Sequence, residues 1–170
     1  SDTAANIQSA TAAVLEAVDS VTITDEGSSL TVSVAQATSI FDRANDGSTG
    51  ANGINVDGSK RVSYTISDTA TNISTQIGSD SDLIKNASGV TVTTDATEAE
   101  AQVLITVHSF AGAITFDISD TKANIFASSG SGTALDTAAN INGARNVVVT
   151  DAIGVTQATN LRAATNSGSY

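Results

Sequence analysis

Apolar and polar residues alternate in short stretches of this chain, and each stretch ends at an aspartate. Val62-Ser63-Tyr64-Thr65-Ile66-Ser67 leads into Asp68, and Ile114-Thr115-Phe116-Asp117-Ile118-Ser119 leads into Asp120. Val21-Thr22-Ile23-Thr24 runs into Asp25, Val90-Thr91-Val92-Thr93-Thr94 into Asp95, and Val147-Val148-Val149-Thr150 into Asp151. A period of two is the pattern of a half-buried strand, so each stretch predicts a β-strand. Beyond the aspartates the period lengthens. Ile7, Ala10, Val14 and Val18 after Asp2, then Val34, Ala37, Phe41 and Ala44 after Asp25, recur at spacings of three and four. Val155, Ala158 and Leu161 begin the same stripe after Asp151. That spacing places them on one face of a helix.

The hinge between the two periods is itself repeated. Asp-Thr-x-x-Asn-Ile stands at Asp2, Asp68, Asp120 and Asp136, with the asparagines at Asn6, Asn72, Asn124 and Asn140. From Asp2 onward the strand-ending aspartates are separated by 23, 43, 27, 25 and 31 residues. The long interval holds a turn-rich insertion, residues 45–60, that includes Asn45-Asp46-Gly47-Ser48-Thr49-Gly50-Ala51-Asn52-Gly53. An aspartate at a strand-to-helix hinge accepts the free backbone N–H groups of the first helical turn, and its charge suits the positive helix end. An asparagine at a fixed place in each copy is expected to bond the backbone of a neighbouring coil. Two segments fit the scheme poorly. Val103-Leu104-Ile105-Thr106-Val107 is rich in strand formers where a helix is expected, and Ser128-Ser129-Gly130-Ser131-Gly132 interrupts another helix position.

A strand, a tight acidic turn and a helix in about 25 residues cannot bury its apolar faces alone. Stacking such units gives a strand–helix repeat, solenoid-like, with a parallel sheet and a helix layer. The alternative fold for the same elements is a compact α/β sandwich. Either way residues 1–170 read as a single repeat domain. The two ends, Gly168-Ser169-Tyr170 and Ser1-Asp2-Thr3, resemble the two sides of a cut through Ser63-Tyr64-Thr65-Ile66-Ser67-Asp68-Thr69. This predicts a window of a longer array or an assembly that associates head to tail.

Composition narrows the picture. Apolar residues make up 40 %, yet aromatics only 4 %, and Met, Trp, Pro and Cys are absent. Small aliphatic side chains suit thin, regular layers. Without Cys there are no disulfides, thiolate metal sites or thiol nucleophiles. A net charge of −11 argues against nucleic acid and anionic membrane surfaces as partners. No apolar run reaches the length of a membrane span, so no membrane insertion is expected.

The "YTISDTATNI … VTVTTD" and "SDTAANI … VTITD … VAQATSI" texture is similar to the Asp-Thr-Ala-Ala-Asn repeats of large bacterial surface and extracellular proteins, S-layer-like and type I-secreted. The matching residues are Asp2-Thr3-Ala4-Ala5-Asn6-Ile7, the copies at Asp68, Asp120 and Asp136, and Ala35-Gln36-Ala37-Thr38 with its echo Gln157-Ala158-Thr159. The resemblance covers most of the chain outside the 45–60 insertion. It implies an architecture and an extracellular or cell-surface location in a bacterium.

Candidate chemistry is sparse. Asp25, Asp68, Asp95, Asp120 and Asp151 would line up at the strand ends of a stack, one strand spacing apart, and a row of hard oxygen ligands suits Ca²⁺. Helix capping is the competing use of the same carboxylates. Asp80 and Asp82 with Asp95, or Asp42 with Asp46, are looser candidates, and none has EF-hand spacing. His108, the single histidine, lies in an apolar segment and reads as a packing or surface residue. No nucleophile elbow or phosphate-binding loop is present, and Glu98 and Glu100 face different ways on a helix. Asn72-Ile73-Ser74 and Asn86-Ala87-Ser88 match the glycosylation pattern. The residues therefore predict a non-enzymatic structural segment with no required cofactor: a building block of a surface layer, filament or adhesin stalk. The alternative is a Ca²⁺- or glycan-binding extracellular module.

Overall fold

The computed structural model describes residues 2–17, 29–41, 55–56, 60–61, 64–79, 81–107, 114–126, 141 and 143–164. Its elements run α1 (Ala4–Ser9), α2 (Ala12–Glu16), β1 (Leu30–Val32), α3 (Val34–Phe41), β2 (Asn55–Val56), β3 (Lys60–Arg61), β4 (Tyr64–Asp68) and α4 (Ala70–Ser79). They continue with α5 (Asp82–Lys85), β5 (Gly89–Val92), α6 (Glu98–Ile105), β6 (Ile118–Asp120), α7 (Lys122–Ile125), β7 (Val147–Val149) and α8 (Val155–Arg162). The result is a mixed α/β fold with small parallel sheets and no closed barrel among the described residues.

The pairings follow chain order. Strand β4 lies between β1 and β5, parallel to both, with Leu30 opposite Tyr64 and Ile66 opposite both Val32 and Val90. Two parallel bridges, Thr91 to Thr115 and Ala96 to Ile118, lead from β5 toward β6. Strand β6 then pairs in parallel with β7, Ile118 opposite Val147. In each register the buried side chains face one another, because a strand sends alternate residues to the same side. Leu30, Ile66, Ile118 and Val147 are at most 1 % exposed. On the other face Thr31 and Thr65 share a 3.0 Å hydroxyl contact. The β2–β3 pair is antiparallel and stands apart from these sheets.

The helices pack in the same sequence, α2 on α3, α3 on α4, and α4 on α6. Their apolar faces join the strands in one core, with Ala37, Ile73, Ala101, Leu104 and Ile125 fully enclosed. Tyr64, 4 % exposed, reaches across it and donates its hydroxyl to the Leu83 carbonyl at 2.7 Å.

Several expectations are corrected here. The first helix is two helices, because Thr11 starts a second one by accepting the Val14 N–H. That turns Val14 outward, 57 % exposed, and buries Leu15 instead. Leu30-Thr31-Val32 is a strand the alternation reading passed over, being only three residues long. Residues 103–105 belong to helix α6, not to a strand. The reciprocal capping of Thr97 and Glu100 outweighs their strand propensity. Val155 opens α8 but is 86 % exposed, so it is not part of a buried stripe. The strand expected at 21–24, most of the 45–60 insertion, residues 128–132, Asp136 and Asn140 lie outside the described residues.

Candidate functional site

The repeated hinge has one geometry wherever it is described. In Asp2-Thr3-x-x-Asn6 the Thr3 N–H donates to Asp2 Oδ1 at 2.8 Å and the Asn6 amide donates to the same oxygen at 2.7 Å. The corresponding distances are 2.8 and 2.8 Å at Asp68, and 2.7 and 2.8 Å at Asp120. The threonine hydroxyl meanwhile accepts the asparagine N–H, at 3.3, 3.2 and 3.4 Å. The N-cap is therefore the threonine, and the aspartate sits one residue before it. The asparagine clamps its own aspartate instead of reaching a neighbouring coil as expected. This is a variant of the capping box. The N-cap N–H is normally taken by a Glu or Gln in the first turn. Here a preceding carboxylate takes it, and the short asparagine holds that carboxylate still.

The ordinary box occurs too, complete at Ser33 and Thr97 and reduced to its glutamine half at Gly154, which has no side chain. Gln36 accepts the Ser33 N–H at 2.9 Å, Glu100 the Thr97 N–H at 2.9 Å, and Gln157 the Gly154 N–H at 3.0 Å. Among the described residues the two versions alternate along the chain, at 2, 33, 68, 97, 120 and 154; the short helices α2 and α5 fall outside the pattern.

The second carboxylate oxygen reaches across to another segment. Asp68 Oδ2 accepts the N–H of Val34, the first residue of α3, at 2.9 Å. Asp120 Oδ2 accepts the first N–H of α6, from Glu98, at 2.9 Å. Asp151 Oδ2 accepts the first N–H of α7, from Lys122, at 3.1 Å. At the intervening position Thr94 Oγ1 accepts the first N–H of α4, from Ala70, at 3.0 Å. Asp68 and Asp120, which end β4 and β6, and Thr94 and Asp151, two residues beyond β5 and β7, thus each cover the first amide of an earlier helix, and at the three aspartates a negative group also meets the positive helix end.

The predicted carboxylates divide accordingly. Asp68, Asp120 and Asp151 each brace a preceding helix, whereas Asp95 does not: it is exposed, and Thr94 beside it carries the contact. Asp25 lies outside the described residues, as do Asp42, Asp46, Asp80 and His108. Asp82 is on α5 with Lys85 at 4.0 Å. Asn72, in one of the glycosylation patterns, has its amide engaged by Asp68. Among the described residues no three acidic or His side chains converge as a cation site would require. No described helix is long and apolar enough to cross a membrane.

Three polar features escaped the sequence reading. Asp117, just before β6, takes Arg145 bidentately at 3.0 and 2.6 Å, together with the Asn146 N–H at 3.0 Å and its amide at 2.9 Å. Its signal was the register: Ile118 opposite Val147 places Asp117 beside Asn146. Glu98, 5 % exposed, has both carboxylate oxygens held by Gln102, at 2.9 and 3.0 Å. Glu100 accepts the Thr71 hydroxyl at 2.7 Å and so ties α6 to α4.

These contacts move the titrations. The Arg145 hydrogen bond is the largest influence on Asp117; burial opposes it and Asn146 adds to it, and the carboxyl is held below its usual value. At Asp120 burial pulls upward most strongly, but the N–H groups of Glu98 and Thr121 and the Asn124 amide together outweigh it, so the carboxyl is lowered. Burial likewise lifts Glu100 and is outweighed by the N–H of Thr97 and the hydroxyls of Thr71 and Thr97.

No known protein family matches the chain, and no curated protein or solved structure is detectably similar to it.

Two outcomes follow from this geometry. Asp120→Asn turns one acceptor oxygen into an NH₂ that must face either the Glu98 N–H or the Thr121 and Asn124 donors. It should cost about 1–3 kcal/mol by urea unfolding, well above the effect of Asp2→Asn, whose carboxylate braces no second segment among the described residues. For pH, Asp117 and Asp120 have folded pKa values below the free value of 3.8, so their stabilisation is complete above that value and is lost as pH falls through the folded values. Thermal stability should hold level down to about pH 4 and drop below it, with a shallower acid limb in Asp117→Asn.

Proposed function

We propose that the chain is a strand–helix repeat segment with a structural role: a solenoid-like stack that serves as a building block of a bacterial surface layer, filament or adhesin stalk. The observation that carries this reading is the bracing contact that recurs at Asp68, Thr94, Asp120 and Asp151, each directed to the first amide of an earlier helix. A contact that repeats by one rule along the chain suits a unit designed to be multiplied. The parallel pairings in chain order point the same way, as does the recurrence of two kinds of capping box among the described residues.

The resemblance of the Asp-Thr-Ala-Ala-Asn motif to repeats of large secreted bacterial proteins supports an extracellular or cell-surface setting. The excess of acidic over basic residues and the lack of cysteine suit that setting. The aspartate row reads as bracing in preference to Ca²⁺ binding, because Asp68 and Asp120 each have both oxygens committed to N–H donors. The role is scaffolding and needs no catalytic group.

The test is duplication of residues 68–119, from one Asp-Thr-x-x-Asn hinge to the residue before the next. A stack accepts the extra module. The protein should fold cooperatively and lengthen by about two strand spacings, roughly 10 Å, in small-angle X-ray scattering. An unfolded or aggregated product, or one no longer than the parent, would count against the reading.

A further inference from the structure

The face formed by β7 and α8 repeats one that is filled elsewhere in the molecule. Glu98 opens α6 six residues after Val92 ends β5, and Val155 opens α8 six residues after Val149 ends β7. Glu100 accepts the Thr97 N–H at the start of one helix, and Gln157 the Gly154 N–H at the start of the other. The β5–α6 face is covered by residues 114–120. Thr115 bridges to Thr91, Ala96 donates its N–H to the Asp117 carbonyl and accepts that of Ser119, and Asp120 takes the first amide of α6. Strand β4 covers β1 and α3 in the same way, with Thr65 opposite Thr31 and Asp68 on the Val34 N–H. Each covering segment alternates apolar and polar residues and ends in Asp-Thr.

Strand β7 pairs only with β6 among the described residues. Asn146 and Thr150 turn their backbone groups toward β6, one accepting from Ile118 and the other donating to Asp120. Successive residues of a strand turn these groups to opposite sides, so those of Val147 and Val149 point away from β6 and meet no partner among the described residues. Val147 is 1 % exposed, and unpaired backbone groups are costly in so buried a place. The Val155 N–H likewise meets no acceptor among the described residues, and Val155 itself is 86 % exposed. A groove of about 550 Å³ runs between β7 and α8, lined by Val149, Ile153, Ala158 and Leu161, with Asp151 ahead of the helix and Arg162 at its far end. Asp151 is committed to the Lys122 N–H. An aspartate in that place is no obstacle, since Asp95 stands ahead of α6, whose first amide Asp120 takes. An open strand edge beside an apolar groove is a template for another strand.

We propose that the β7–α8 face is a receptor for an extended strand of a partner protein: apolar and polar by turns, parallel to β7, and ending in an aspartate that takes the Val155 N–H. The partner's backbone completes the open edge, its apolar side chains enter the groove, and its carboxylate meets the positive end of α8. The inference rests on the bracing rule above and adds the chemistry of the partner.

The probe is a synthetic peptide with the sequence of residues 114–124, blocked at both ends, because that segment fills the matching face on β5 and α6. Titrated into the isotope-labelled full chain and followed by NMR, it should shift and protect the amides of Val147, Val149 and Val155. The substitution Asp120→Lys in the peptide should weaken binding by about tenfold or more. In the protein, Val149→Pro removes an edge donor that β6 does not use, and it should weaken binding to a similar degree. The altered peptide leaves the protein untouched, so the test stands even if that variant unfolds. The proposal is overturned by an absence of shifts at millimolar peptide, or by equal binding of the two peptides. Shifts confined to Thr91 and Glu98, the mark of exchange with the chain's own β6, overturn it too. Binding seen only after removal of residues 165–170 assigns the face to the chain's own last residues and also overturns it. A chain that ignores the peptide yet accepts the duplicated module leaves the stack standing and removes only this site.

Discussion

The fold depends on one hydrogen bond used repeatedly: a residue at or just beyond the end of a strand accepts the first backbone N–H of an earlier helix. Helices of four to ten residues, as these are, are too short to be stable alone in water. They form because their ends are held and one face is buried. Each brace does both kinds of work. It removes an orphan amide from the helix start, and it fixes the distance between the strand end and an earlier helix. Threonine can stand in at position 94 because the requirement is an acceptor at the right place, with charge as an addition.

The brace needs a carboxylate that does not wander, and the hinge supplies it. In the Asp-Thr-x-x-Asn version the asparagine and the threonine N–H pin one oxygen, leaving the other aimed across the gap. The Gln or Glu version satisfies its own N-cap and relies on the neighbouring hinge for its first amide. Where the two adjoin, at Asp68 with Ser33 and at Asp120 with Thr97, one completes the other. The side-chain pattern agrees with the backbone pattern: the registers that align the hinges also set Ile66 between Val32 and Val90 in the core. Lateral ties between Asp117 and Arg145, and between Glu100 and Thr71, secure the parts the hinges do not reach.

Much of this was legible in the residues. Alternation located β4, β5, β6 and β7, and the motif located the hinges, since both are local patterns. Parallel pairing of β4 with β5 and of β6 with β7 followed from the spacing. What local patterns could not supply was direction. Whether Asn72 turns toward its own aspartate or toward a neighbour depends on where the carboxylate sits, and that depends on the brace across to Val34, 34 residues away. Thr94 was overlooked beside the more conspicuous Asp95 because composition favours the charged residue and geometry chose the other. Helix α6 misled for a similar reason: Val103 and Ile105 favour strands, but the Thr97–Glu100 box commits the segment before those residues are reached. Asp117 and Arg145 are 28 residues apart and meet only through register.

Amide hydrogen exchange, resolved residue by residue by NMR, tests the central claim most directly. First-turn amides of a helix usually exchange fast because nothing in the helix accepts them. Bracing predicts slow exchange at Val34, Ala70, Glu98 and Lys122, and fast exchange at Val155, whose N–H meets no brace among the described residues. Uniformly fast exchange at all of these amides would contradict the account.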